Sequence, residues 1–179
     1  MNDARQNLIR ILQNAYSGEL AAAYAYCGHW RSLKKSAVER ERIRQIEAEE
    51  WTHRKEVRKW LEILGAKPRK VKEAILWTIG RSLGAACHVS GWFFPMYFAG
   101  RLENGNVKEY EDAAEFAKQL EMPQCFDELM EMARVEQEHE DFFRAAVAKH
   151  RLLPITRKFF VGAKLILDFR FWILDFLTL

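Results

Sequence analysis

Two Glu-x-x-His pairs, Glu50–His53 in EAEEWTHR and Glu136–His139 in ARVEQEHE, constrain this chain more than any other feature. Residues three apart share one face of a helix, so each pair sets an acid and an imidazole on a common stripe. Both pairs sit in long runs of helix formers beside bulky apolar neighbours. The fold must therefore give two separate helices an inward polar step and supply something there that makes it tolerable.

The rest of the chain supports helices. From Asp3 to Leu33 the apolar residues recur at three and four: Leu8, Ile11, Leu12, Ala15, then Leu20, Tyr24 and Cys27. A second helical run covers about Ser36 to Leu64 and stops at GAKP, a Gly cap followed by Pro68. Residues 70–82 predict a shorter helix. About Ala85 to Gln119 predicts a long one that Pro95 should kink. Pro123 opens a helix to about His150, and an apolar segment follows Pro154. Strand signals are absent, since the Asn-Gly of LENGN falls inside a helical pattern. The expected class is all-α, with five or six helices, four of them long.

Bulk properties exclude several functions. A chain of 179 residues, 49% hydrophobic and 30% charged, suits one domain with a substantial core. A net charge of +3, with basic residues scattered apart from RSLKK and KPRKVK, gives no case for nucleic acid. Cys27, Cys87 and Cys125 are odd in number and form no CxxC, which argues against a disulfide framework and for a reducing cytosol. The segment MNDARQNLIRILQ lacks the features of a signal peptide. The longest run without a formal charge, residues 82–100, is broken by His88, Gly91 and Pro95, so no spanning helix is expected.

Di-iron carboxylate bundles take a Glu-x-x-His pair from each of two helices and one Glu from each of the other two. Single acids of that kind are present. Glu19 is embedded in YSGELAAAYAY, and Glu103 follows the apolar FFPMYFAGRL. Four buried carboxylates would take up protons unless balanced, and two ferrous ions would balance them. Oxygen donors with imidazole suit iron or manganese better than zinc. Glu-x-x-His also arises by chance, and it is the convergence of two pairs with two single acids that carries weight. Glu47 and Glu49 compete with Glu50, but only Glu50 lies three before His53. Glu138 and Glu140 read as solvent-facing or peripheral to the site, and His29, His88 and His150 as structural or surface residues.

On these residues the chain resembles demethoxyubiquinone hydroxylase, the ferritin-like di-iron monooxygenase of ubiquinone biosynthesis. The resemblance covers nearly the whole chain: Gly18-Glu19 with Tyr26-Cys27-Gly28, then Glu50 and His53, then SLGAACHVSG leading to Glu103 and Tyr110, then Glu136 and His139. It implies a ferritin-like four-helix bundle over 1–153, with an extra short helix, and an amphipathic C-terminal helix over 154–179. It also implies two iron ions held by Glu19, Glu50, His53, Glu103, Glu136 and His139, with Glu50 and Glu136 bridging. Dioxygen would be the oxidant, a lipophilic quinone precursor the substrate, and the electron donor is open. Tyr110, a catalytic candidate, and Tyr26 are either hydrogen-bonding or electron-relay groups, or core aromatics. The chain departs from the family at Glu109, where a His normally precedes the Tyr. Alternatives are a rubrerythrin-type peroxidase, an oxygenase on another lipophilic substrate, or an iron-handling protein.

An isoprenoid substrate implies a peripheral protein on the inner, cytoplasmic face of a membrane. In FFVGAKLILDFRFWILDFLTL, Lys164, Asp168 and Asp175 form one stripe on an otherwise apolar helix, an interfacial pattern. AILWTIG and WFFPMYFAG would form the other lip of the opening. The competing reading is that these segments close the core or pair the chain in a homo-oligomer.

Overall fold

This computed structural model describes residues 2–34 and 36–162. Every regular element among them is a helix: α1 Asn2–Ser32, α2 Ala37–Ile63, α3 Lys70–Ala86, α4 Phe93–Gln119, α5 Pro123–Val147 and α6 Leu153–Gly162. The ends follow local chemistry. Ser36 caps α2 by accepting from the Glu39 amide. Gly65, at φ +65°, closes it by returning its own amide to Glu62 and that of Ala66 to Leu61. Pro123 takes the first position of α5, where a missing N–H costs nothing.

One expected element is corrected. The run from Ala85 to Gln119 is not a single kinked helix. The chain turns between Ala86 and Phe93, through Gly91 at φ +77°, and Pro95 lies in the first turn of α4. There its nitrogen has no intrahelical acceptor to miss, so no kink arises. The Gly-rich SLGAACHVSG accordingly ends α3 and forms the turn, and does not open the ligand helix. The short helix also runs four residues past the expected 82.

Helices α1 and α2 form one antiparallel hairpin and α4 and α5 another, with α1 against α4 and α2 against α5. Helix α3 lies along α1 in the same direction: Lys72 meets Asn14, Gly80 meets Ala21 and Gly84 meets Gly28. It is the return leg that lets α4 run parallel to α2. The contact is backbone to backbone, and a Cβ placed on Gly28 would lie 2.3 Å from Gly84 Cα.

Each bundle helix runs from one apolar cluster, through a polar step, to a second cluster. The first joins Leu8, Leu12, Val57, Leu61, Ala113 and Leu129 among others, and the second joins Tyr26, Ile43, Ile46, Met96 and Phe143. The acids sit between, closed off from both ends. Residues 163–179, including the Lys164–Asp168–Asp175 stripe, lie outside the described residues. No helix among the described residues is long and apolar enough to cross a membrane.

Gly28→Ala should cost about 1–3 kcal/mol through overpacking. Denaturant unfolding checks this, and an unchanged midpoint would contradict the close α1–α3 contact.

Candidate metal centre

Glu19, Glu50, His53, Glu103, Glu136 and His139 come from α1, α2, α4 and α5 and are all buried, none more than 5% exposed. Two sets of donors lie within 4.8 Å of one another: Glu50, Glu103, Glu136 and His139, and Glu19, His53 and Glu136. Glu136 belongs to both. The structure thus brings together all six side chains that the sequence singled out.

Hydrogen bonds fix the carboxylates from across the bundle. Tyr26 on α1 donates to Glu103 on α4, and Tyr110 on α4 donates back to Glu19 on α1, at 2.5 Å. Both tyrosines are therefore hydrogen-bonding groups at the cluster as well as core aromatics. Asn106, one turn beyond Glu103, donates to Glu103 Oε2 at 2.8 Å and Glu136 Oε2 at 3.2 Å. His53 Nδ1 donates to Glu136 Oε1 at 2.9 Å. His139 turns Nδ1 inward, 3.5 Å from Glu50 Oε1 and from Glu136 Oε2, and bonds Glu49 through Nε2 at 2.7 Å.

These contacts do not satisfy the cluster. Glu19 Oε2, both Glu50 oxygens and His139 Nδ1 are buried without a hydrogen-bond partner. Orphaned buried acceptors converging from separate helices are costly unless a cation joins them. Four carboxylates and two imidazoles are a donor set that could hold such an ion.

Protonation stands in for the cation here. Burial, reinforced by Glu19 and Glu136, holds the Glu50 carboxyl well above the usual carboxylate range. Burial and Glu136 do the same to Glu103. Burial acts in the same direction on Glu136, but the facing His139, the bond from His53 and the neighbouring Glu103 carboxyl outweigh it and hold it well below. Burial opposes charge on His139, yet Glu136, Glu49 and Glu50 push it up to about 12. His53 is raised too, burial being outweighed by its bond to Glu136. An arriving ion must displace these protons, so binding strengthens as pH rises.

One neighbour differs from its expected role. Glu49, read from sequence only as a competitor of Glu50, is the outer partner of His139 and is held by Arg42 at 3.0 Å. Glu138 is exposed, whereas Glu140 is buried and bound to Asn104 and Arg144. Among the histidines set aside, His88 is exposed and His150 stacks on Phe93. His29 is buried against Tyr26 and Phe143, and burial lowers it to about 4. Asn106 was missed altogether. Its signal was available, since three residues beyond Glu103 is the same helix face.

An open cleft of about 790 Å³ lies on the α4–α5–α6 side, lined by Tyr97, Gly100, Asn104, Glu140, Phe143 and Arg144 among others. Its Phe143 wall stacks on Tyr26, with centroids 5.7 Å apart, and Tyr26 reaches Glu103. Two stacked rings, Phe143 and Tyr26, thus separate the cleft from Glu103. No protein-family model, curated protein or solved structure matches this chain.

Glu50→Gln tests the electrostatics in chelator-treated protein. The folded state keeps a proton on Glu50 that the unfolded chain sheds above about pH 4.5, so this group lowers native stability as pH rises. The variant lacks that penalty. It should be at least as stable as the parent at pH 7, with an advantage that widens as pH rises from about 4.5, and metal should raise its melting temperature less. Thermal melts with and without metal check both. A variant that is destabilised when metal-free but keeps the full metal-induced rise would contradict the account.

Proposed function

We propose that this chain is an oxygen-dependent di-iron hydroxylase of the demethoxyubiquinone hydroxylase kind, acting on the ring of a lipophilic quinone precursor. The observation that carries the reading is the buried six-donor cluster with Glu136 common to both donor sets. Four carboxylates match the charge of two ferrous ions, and the donor chemistry favours iron over zinc. When bound, such an ion pair supplies dioxygen activation. The second oxygen atom leaves as water, with two electrons and two protons from an external reductant.

The protein's own part is positioning and exclusion. Tyr26 and Tyr110 hold Glu103 and Glu19 at fixed angles, and Glu49 orients His139. The apolar clusters on either side keep bulk water from the acids. The cleft beside Phe143 offers a ring-bearing substrate an approach with a largely apolar inner wall of Met96, Phe143, Val147 and Leu153. In this reading Trp77 on α3 and Phe94 on α4, both exposed, are side chains suited to a membrane surface, and the apolar composition of residues 163–179 suits one too.

Quinone profiling in a host lacking its own hydroxylase tests the reading. The chain should convert the demethoxy precursor to its hydroxylated product, and Tyr110→Phe should lower the yield about tenfold or more. Persistence of the precursor despite iron-loaded protein would reject this substrate. Peroxide consumption in its place would favour the rubrerythrin-type alternative.

A further inference from the structure

The cluster has an approximate two-fold pattern. Glu19 and Tyr26 on α1 answer Glu103 and Tyr110 on α4, each acid being followed by a tyrosine seven residues on. The Glu50–His53 and Glu136–His139 pairs answer each other on α2 and α5. The reciprocal tyrosine bonds, Tyr26 to Glu103 and Tyr110 to Glu19, obey the same pattern.

Two side chains break it, and both fall in one half. Asn106 stands three beyond Glu103, and the residue three beyond Glu19 is Ala22. Glu49 stands one before Glu50 and bonds His139, and the residue one before Glu136, in the place that would face His53, is Val135. Asn106 uses the two hydrogens of one buried amide to hold Glu103 and Glu136 side by side, partly offsetting their repulsion. Glu49, itself anchored by Arg42, fixes the His139 ring with Nδ1 turned toward the acids. Alanine and valine can do neither. The half so supported also has the larger donor set, Glu50, Glu103, Glu136 and His139, against Glu19, His53 and Glu136.

We infer that the two halves bind metal in order: the Glu103–His139 half fills first and tightly, the Glu19–His53 half second and weakly, with Asn106 and Glu49 as the positioning residues that create the difference. The physical reason is preorganisation. Where donors are already oriented by outer bonds, the ion bears less of the cost of ordering them, and loss of such partners weakens metal affinity about 10–100-fold. The inference rests on the metal-binding reading above, but not on any particular substrate.

Anaerobic titration of the metal-free full chain with Mn²⁺ tests it, followed by calorimetry and by electron paramagnetic resonance, which separates isolated from spin-coupled ions. The parent should bind two ions, the first at least about tenfold more tightly beyond the statistical factor. At one equivalent the isolated-ion signal should dominate. Asn106→Ala and Glu49→Val, which restore the residue types of the other half, should each shrink the gap by weakening the first step, with coupled pairs appearing at one equivalent. Ala22→Asn should narrow it from the other side by strengthening the second step. Two ions bound with equal affinity in the parent, or a gap unmoved by all three variants, would overturn the inference and leave the metal reading standing. No Mn²⁺ bound at all would overturn both.

Discussion

The repulsion among four carboxylates confined to one dry layer is the constraint on which the rest of this structure depends. Glu19, Glu50, Glu103 and Glu136 approach one another where bulk water does not reach them. Opposite charge must offset that cost, as protons in the metal-free chain or as a bound cation. The two tyrosines, Asn106 and the two imidazoles all answer the same demand, and they still leave four buried donor atoms without a partner. A layer meant only for stability would more simply be apolar, since apolar replacement of buried ionic groups is often neutral or stabilising.

The helices are arranged to serve that layer. Two hairpins with short connections bring α1 to α2 and α4 to α5, and α3 returns the chain along α1 so that the second hairpin can face the first. The glycines of that return leg matter through closeness: Gly28 and Gly84 let two backbones touch where any side chain would hold them apart. Apolar clusters above and below then seal the acids, while the cleft is separated from Glu103 by the stacked rings of Phe143 and Tyr26. Sealing and access are both needed of a site that would handle an apolar substrate.

Much of this was legible from residue spacing, because the helical period acts on every residue in the same way. The Glu-x-x-His pairs and the single acids in apolar surroundings pointed inward, and the structure places all six at one level. Helix ends marked by Ser36, Gly65 and Pro123 were readable because each has a specific backbone reason to be there. The start of α4 was not. From Ala85 to Phe98 the residues are small or apolar apart from His88, and the turn is marked only by Gly91, so periodicity ran across it. Glu49 and Asn106 were hidden for a different reason. A polar residue beside an acid looks like surface until the rotation of its helix against a neighbour is known. That rotation is a property of packing, not of local sequence.

On the proposed reading, these six side chains share a pair of metal ions. Metal content after anaerobic reconstitution with ferrous iron tests it most directly, with Mössbauer spectra recorded once air is admitted. The account predicts two irons per chain, coupled through common ligands after oxidation. One isolated iron, a preference for zinc, or a folded protein that takes up no metal would contradict it.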